Sequence, residues 1–446
     1  MPLGNKYNGP DDTVKLDFNQ DGALGSGSET PLLNEIWNGL NLRDGRKIAI
    51  KKELLKVVLL NLYKGYKSKK STAFSRKASF YSTRAGRYRR PIERYSLVKH
   101  IIDELEKEGF IEIEKGRSFK NPIYIGQLSK MFPTKKLIKL FEKFPVKRIT
   151  KLPLIETVIL KDNNKLKVPY EDDINTSSMR SEISVLNNLR SKAIISLKGV
   201  PNMLLNEYSK SKHKTYREIL QPFTKLYLSG TTRDKLNIPL EKTYLHRVFN
   251  DSSFNKGGRF YGTAEITLPK KLRKYLTIND KSTVEMDYSC LHLHMMYHLK
   301  GIHFGDNPYL SEIKRLRELY KAITMTVINT NIRTSAIKAI LKQHKDGELD
   351  LSWLNDVTYN KIEKYFKKWE KVHYKLKDQF YTNKGIDLMN LDSIIMSKIL
   401  KHFSDKGIVA CGIHDSVIIQ KQFKKELLQI MVEVYEEVLG FKPVVK

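Results

Sequence analysis

Two short apolar segments, each ending at an aspartate, constrain this chain more than anything else in it. Thr283-Val284-Glu285-Met286-Asp287 reads as a buried strand running into a helix from Leu291 to Leu299. Farther on, the apolar runs GIVACGI and SVIIQ meet at a polar turn, His414-Asp415-Ser416, with the spacing of a tight β-hairpin. One acid at a strand end is unremarkable. Two acids on neighbouring strands of one sheet can hold two divalent cations about 4 Å apart, the arrangement that stabilises both the attacking and the leaving oxygen in phosphoryl transfer. Asp287 and Asp415 are therefore the candidate catalytic and metal-binding residues. Two Mg²⁺ ions are the expected cofactor, with Mn²⁺ an acceptable substitute.

The charge balance says what such a site would act on. Lys and Arg total 80 against 49 Asp and Glu, a formal net charge of +31, so the chain seeks polyanions and nucleic acid is the expected partner. No apolar run approaches the ~18 residues of a spanning helix, and the N-terminus has no signal-peptide core. A cytoplasmic protein with no membrane partner is expected. Cys290 and Cys411 are too few for a disulfide framework or a Cys-based zinc site.

Along the chain, residues 1–30 read as a flexible leader. Residues 31–126 read as a winged-helix-like basic domain: helices from Lys47 and Tyr95, then a hairpin of Phe110–Glu114 and Pro122–Ile125. Within it, Lys64 to Arg90 carries ten Lys or Arg, no acid, and interleaved Tyr66, Phe74, Phe80, Tyr81 and Tyr88. That composition suits phosphate contacts with base stacking, and Arg84, Arg87, Arg89 and Arg90 are the candidate contacts; a solvated basic loop is the alternative. Residues 127–245 read as mostly helical and Lys-rich. From Phe249 glycines cluster, and strands then alternate with helices to Lys446. His292, His294, His298 and His303 read as packing rather than a zinc site, because His292 does not share a helical face with His294. Asp392 reads as a solvated or capping acid in preference to an acid that supports the reacting end from behind.

Val-Glu-Met-Asp287-Tyr288-Ser289 resembles motif A of family A DNA polymerases, whose core is Asp-Tyr-Ser. The following Cys290 is similar to the Asp-Gly-Ser-Cys form in single-subunit phage and mitochondrial RNA polymerases. Ile413-His414-Asp415-Ser416 resembles motif C of both groups. In KRLRELYKAITMTVINT, Arg317, Lys321 and Met325 recur every four residues on one helical face, which resembles motif B. Gly258-Arg259-Phe260-Tyr261 resembles the Gly-Arg-Val-Tyr and Gly-Arg-Leu elements upstream. The four stand in the families' order over roughly the C-terminal 45% of the chain.

The resemblance implies an α+β right-hand polymerase: palm in 246–446, a fingers insertion at about 305–345, and a helical thumb or linker in 127–245. It implies a template-directed nucleotidyltransferase acting on primer–template and nucleoside triphosphates. Arg317 and Lys321 would bind the triphosphate, Met325 would pack near the base, and Tyr288 would border the nucleotide. Arg259, Tyr261 and His414 would lie by a nucleic-acid strand. The sugar-gate positions are His292 and Asn329, which match neither family; His292 is bulky enough to crowd a 2′-hydroxyl, which favours DNA synthesis. A compact RNA polymerase or primase is the alternative, and a winged-helix initiator or regulator with an idle palm is a further one. A short polymerase joined to a DNA-binding module suits a bacterial, phage or mobile-element setting.

Overall fold

In the computed structural model, residues 13–18, 20–23, 31–42, 48–82, 86–116, 127–146, 148–151, 154–209, 235–237, 243–305, 308–309 and 313–446 are described. The chain is a mixed α+β protein of two units: Met1–Glu156 with Lys167–Pro169, and Thr157–Leu166 with Tyr170–Lys446.

The first unit contains β1 (Thr13–Lys15), α1 (Pro31–Asn38), α2 (Ile48–Lys67), β2 (Ser71–Phe74), α3 (Ala78–Ser82), α4 (Tyr95–Lys107), β3 (Ile111–Glu114), β4 (Ser129–Pro133) and α5 (Lys135–Lys143). Leu54 to Leu62 of α2 are apolar on nearly every side, and all of that stretch but Lys56 is buried, as a central helix requires. The sheet order is β1-β2-β4-β3.

Three sequence expectations change here. Part of the expected leader is structured: β1 pairs with β2, and the buried Asn61 side chain holds Asp17 through both its backbone N–H (3.0 Å) and carbonyl (3.1 Å). The strand pairing with β3 is β4, whereas Pro122–Ile125 lies outside the described residues. The unit extends past residue 126 because Met131, Leu137 and Phe141 complete its core.

The second unit contains β5 (Val158–Leu160), α6 (Ile174–Lys192), β6 (Ile195–Lys198), β7 (Lys235–Asn237), β8 (His246–Asn250), β9 (Ser253–Tyr261), β10 (Leu276–Ile278), β11 (Lys281–Asp287), α7 (Leu291–His298), α8 (Lys314–Ile328), α9 (Arg333–Lys345), α10 (Tyr359–Val372), α11 (Gly385–Asp405), β12 (Cys411–Ile413), β13 (Ser416–Gln420) and α12 (Lys424–Leu439). A six-stranded antiparallel sheet, β12-β13-β11-β10-β6-β7, is flanked by a smaller one, β9-β8-β5. The stretch expected to be mostly helical therefore also supplies sheet strands. Ala193 turns extended after α6, and the β-branched Ile195 begins a strand that pairs with β10. Residues 210–234 of that stretch lie outside the described residues. Among the described residues no helix is long and apolar enough to cross a membrane.

The histidine cluster packs. His294, His298 and His303 stack in parallel, and His298 also stacks on Phe441 at 4.4 Å and shares a 2.9 Å hydrogen bond with the Tyr435 hydroxyl. Burial, reinforced by the neighbouring His294 and His303, pushes His298 down to about 4. Unfolded histidine titrates near 6.5, so between these values the unfolded chain binds more protons and stability falls as pH drops. His298→Phe is expected to reduce the slope of unfolding free energy against pH across this window, measured by urea titration. His373, also pushed down to about 4 chiefly by burial, keeps the remaining slope from vanishing. An unchanged slope in the variant would assign the acid sensitivity to other groups.

Candidate active site

Strands β11 and β13 pair in a register that sets Asp287 directly opposite Ser416. Side chains two apart share a face of a strand, so Glu285, Asp287 and Ser416 project from one side of the sheet. The Ser416 hydroxyl donates to Glu285 at 2.9 Å, and Arg273 grips the same carboxylate with Nε at 3.1 Å and Nη2 at 2.7 Å. His414 takes the left-handed conformation, φ 56°, that lets the hairpin turn within two residues. At Gly412 an added Cβ would lie 2.6 Å from the Met396 sulfur, so glycine lets the hairpin pack tightly on α11.

The backbone around the two aspartates is tied to neighbouring segments. Tyr288 N–H donates to the Asp415 carbonyl at 3.0 Å. Asp287 and Lys446 exchange two N–H to carbonyl bonds, both 2.9 Å, and Ser289 N–H donates to Val444 at 2.8 Å. These bonds fix where both carboxylates emerge. The Lys270 ammonium stands 3.4 Å from the Asp287 carboxylate.

A cleft of about 490 Å³ opens over this point. Its lining includes Asp287, Tyr288 and His292 from β11 to α7, Arg317, Lys321 and Met325 from α8, His414 and Asp415 from the hairpin, and Arg259 from β9. Four segments separated in sequence thus meet at one surface. Arg317 lies 5.0 Å over the Tyr309 ring and donates to the Cys290 sulfur at 3.8 Å. Thr324, beside Lys321, accepts the Trp369 indole N–H at 2.9 Å, which ties α8 to α10.

Arg259 owes its direction to a bulge. Val248 faces Arg259, but Phe249 faces Gly257, so Gly258 is the extra residue; both glycines have positive φ, 73° and 88°. Beyond the bulge, Arg259 Nε reaches both oxygens of Asp392 at 3.0 Å, and its Nη2 also bonds Asp392. His292 Nε2 meets the same carboxylate at 2.9 Å. Asp392 is 2% exposed, so it is neither solvated nor a cap: it joins two cleft residues. Burial, together with the nearby Arg259 cation, lowers the pKa of His414.

Other expected site residues lie elsewhere. Tyr288 borders the cleft, but its phenol donates to the Met431 carbonyl at 2.7 Å. Tyr261 sits behind the cleft, 6.1 Å from the His414 ring. Asn329 caps α8 through the Met325 carbonyl and does not line the cleft. In the first unit, Arg87 pairs with Glu156 at 3.0 Å, and Arg89 and Arg90 are half-buried, while Arg84 lies outside the described residues. Phe74 and Tyr81, expected to stack on bases, are buried in that unit's core. Sequence reasoning missed Lys270, Tyr309, Thr324 and Lys446 as cleft residues.

Among the described residues no three His, Cys, Asp or Glu side chains gather as a metal cage. Asp287 and Asp415 nevertheless suit Mg²⁺, which is commonly held by one or two carboxylates together with substrate phosphates. Cys290 and Cys411 are both buried and unpaired in any disulfide.

No family model matches the chain, and no curated protein sequence matches it. Among solved structures, it is similar to the POL domain of Pol1 from M. smegmatis in complex with a DNA primer-template and dNTP, at 12% identity and a TM-score of 0.31. That likeness spans 52% of this chain and 51% of the other.

The Asp392 cluster is testable by a double-mutant cycle. Asp392→Leu leaves the largely buried Arg259 cation without its counter-charge and is expected to cost about 3 kcal/mol. Adding Arg259→Met to it should recover much of that loss, because the unpaired charge is gone. Additive losses in chemical denaturation would mean that the two side chains do not depend on each other.

Proposed function

We propose that this chain is a template-directed nucleotidyltransferase that extends a 3′-hydroxyl from nucleoside triphosphates, most consistently as a compact family A-like DNA polymerase. The observation that supports this reading is the convergence of Asp287, Asp415, the Arg317–Lys321–Met325 face and Arg259 on one cleft. In this reading the six-stranded sheet is the palm, α8 belongs to the fingers, and α6 belongs to the helical region that precedes the palm.

Asp287 and Asp415 would hold two Mg²⁺ ions, which when bound stabilise the attacking and leaving oxygens of the transfer. Arg317 and Lys321 present fixed cations to the triphosphate, and Met325, 38% exposed, offers an apolar surface to the base. Arg259, anchored by Asp392, holds a strand by the reacting end. His292, fixed to the same carboxylate, borders the sugar and crowds a 2′-hydroxyl; Asn329 takes no part. The basic segment of the first unit, Arg84, Arg87, Arg89 and Arg90 included, adds a salt-sensitive hold on nucleic acid.

Asp287→Ala and Asp415→Ala are each expected to abolish primer extension while leaving the fold and DNA binding nearly intact. Extension by either variant at near the wild-type rate with Mg²⁺ would remove the catalytic assignment. Lys321→Ala should lose about 2–4 kcal/mol of transition-state stabilisation, comparable with deleting a preorganised donor at developing charge. Single-turnover kinetics provide the check: unchanged nucleotide dependence with weaker DNA binding would make Lys321 a general surface cation.

A further inference from the structure

The helix behind the cleft wall carries a second charged surface. Ile362, Phe366 and Trp369 of α10 are buried, and the Trp369 indole bonds Thr324 of the cleft-lining α8. Lys364, Lys368 and Lys371 follow at spacings of four and three on the opposite side and are exposed. The helix's two acids do not neutralise this row. Arg333 of α9 takes Glu363 at 2.7 Å and Glu370 at 2.7 Å, and Tyr381 also donates to Glu370. Beyond the helix, Asp378 is taken by Lys300. Only Lys367 has an acid of α10 within reach, Glu363 at 3.4 Å.

At the end of the row stands Tyr374, 61% exposed, with Lys375 beside it. A large aromatic ring left in water among lysines, just past the end of a helix whose acids are already committed, has the composition of a single-strand track: cations for the phosphates and a π-face for a base. A merely solvated charged face needs no exposed tyrosine and would distribute its acids among its lysines.

We propose that the Lys364–Lys368–Lys371 face of α10, with Tyr374, binds single-stranded nucleic acid, namely the unpaired template stretch outside the cleft. The identity of the strand rests on the polymerase reading; the surface itself does not. Its place one helix behind α8 lets the strand reach it without occupying the nucleotide cleft. Each lysine contributes by displacing a counterion, and Tyr374 contributes by stacking.

The test measures binding of the full chain to primer–templates carrying a 5′ overhang of one or about twelve nucleotides, by fluorescence anisotropy across a salt series. Lys364→Gln/Lys368→Gln/Lys371→Gln is expected to weaken long-overhang binding and to reduce the salt slope by roughly 2, at about 0.7 per phosphate contact on a single strand. Tyr374→Ala should weaken long-overhang binding about tenfold with little change in slope. Both losses should be much smaller on the one-nucleotide overhang. Unchanged long-overhang affinity and slope, or equal loss on both substrates, would overturn the proposal. If the wild-type chain extends a primer while these variants bind as it does, only the α10 track fails. If the wild type binds neither substrate, the polymerase reading fails with it.

Discussion

Everything in the cleft depends on the pairing of β11 with β13 in one register. A slip of one residue would turn Asp287 to the opposite face of the sheet and replace it with the apolar Met286. Several independent contacts prevent that slip. Ser416 and Arg273 both hold Glu285, the Tyr288 amide is bound to the Asp415 carbonyl, and Asp287 shares two backbone bonds with Lys446. The two carboxylates are therefore placed by backbone geometry, before any ligand is present. On the proposed reading, such preorganisation would let charge stabilisation act without reorganisation at the moment of reaction.

Two buried arginines hold the hairpin and the bulge from behind. Arg190 of α6 is 1% exposed and reaches Glu265, the Thr243 carbonyl at 2.7 Å and the Cys411 sulfur at 3.3 Å. Burial pushes the Cys411 thiol up to about 12, so it stays a neutral packing group at the start of β12. Arg247 spans the smaller sheet and α11, donating to the Gly258 carbonyl at 2.7 Å and to Ser393 at 3.0 Å. Buried charges of this kind contribute little net stability, yet removing one partner is costly, so they enforce a single arrangement. Here that arrangement fixes both the bulge that aims Arg259 and the hairpin that carries Asp415.

The elements that carry the candidate site were more legible than the architecture around them. Strand β11, the turn at Asp415 and the α8 face were readable because each combines a strict period with a chemically distinctive side chain. Asp392 was readable in principle. Leu388, Ile395, Met396 and Ile399 stand four before and three, four and seven after it, all buried, so the helical period puts an acid in the apolar stripe and requires a cationic partner. Its capping propensity drew attention from that pattern. The first unit was harder, since a run of ten cations says nothing about which of its aromatics face inward; Phe74 went to the core because β2 lies between β1 and β4. Lys270, Tyr309 and Lys446 carry no local signal, because only tertiary structure brings them to the cleft.

The cleft's electrostatics bear on what completes it. Arg259, Lys270, Arg317, Lys321 and Lys446 face Asp287 and Asp415, and Asp392 offsets only Arg259. Cations gathered around a cleft of about 490 Å³ repel one another, and packing alone does not relieve the repulsion. The Lys270 contact with Asp287 is what remains when a carboxylate has only a surface ammonium to pair with, and at 72% exposure that pair is weak and readily exchanged. A polyphosphate ligand with divalent cations would reverse both conditions, bringing anionic charge to Arg317 and Lys321 and a stronger cation to the aspartates. Binding in the folded state alone would then add directly to the stability of the second unit. On the proposed reading, the ligand that would reverse both conditions at once is a metal-bound nucleoside triphosphate, its phosphates against Arg317 and Lys321 and its cations against Asp287 and Asp415.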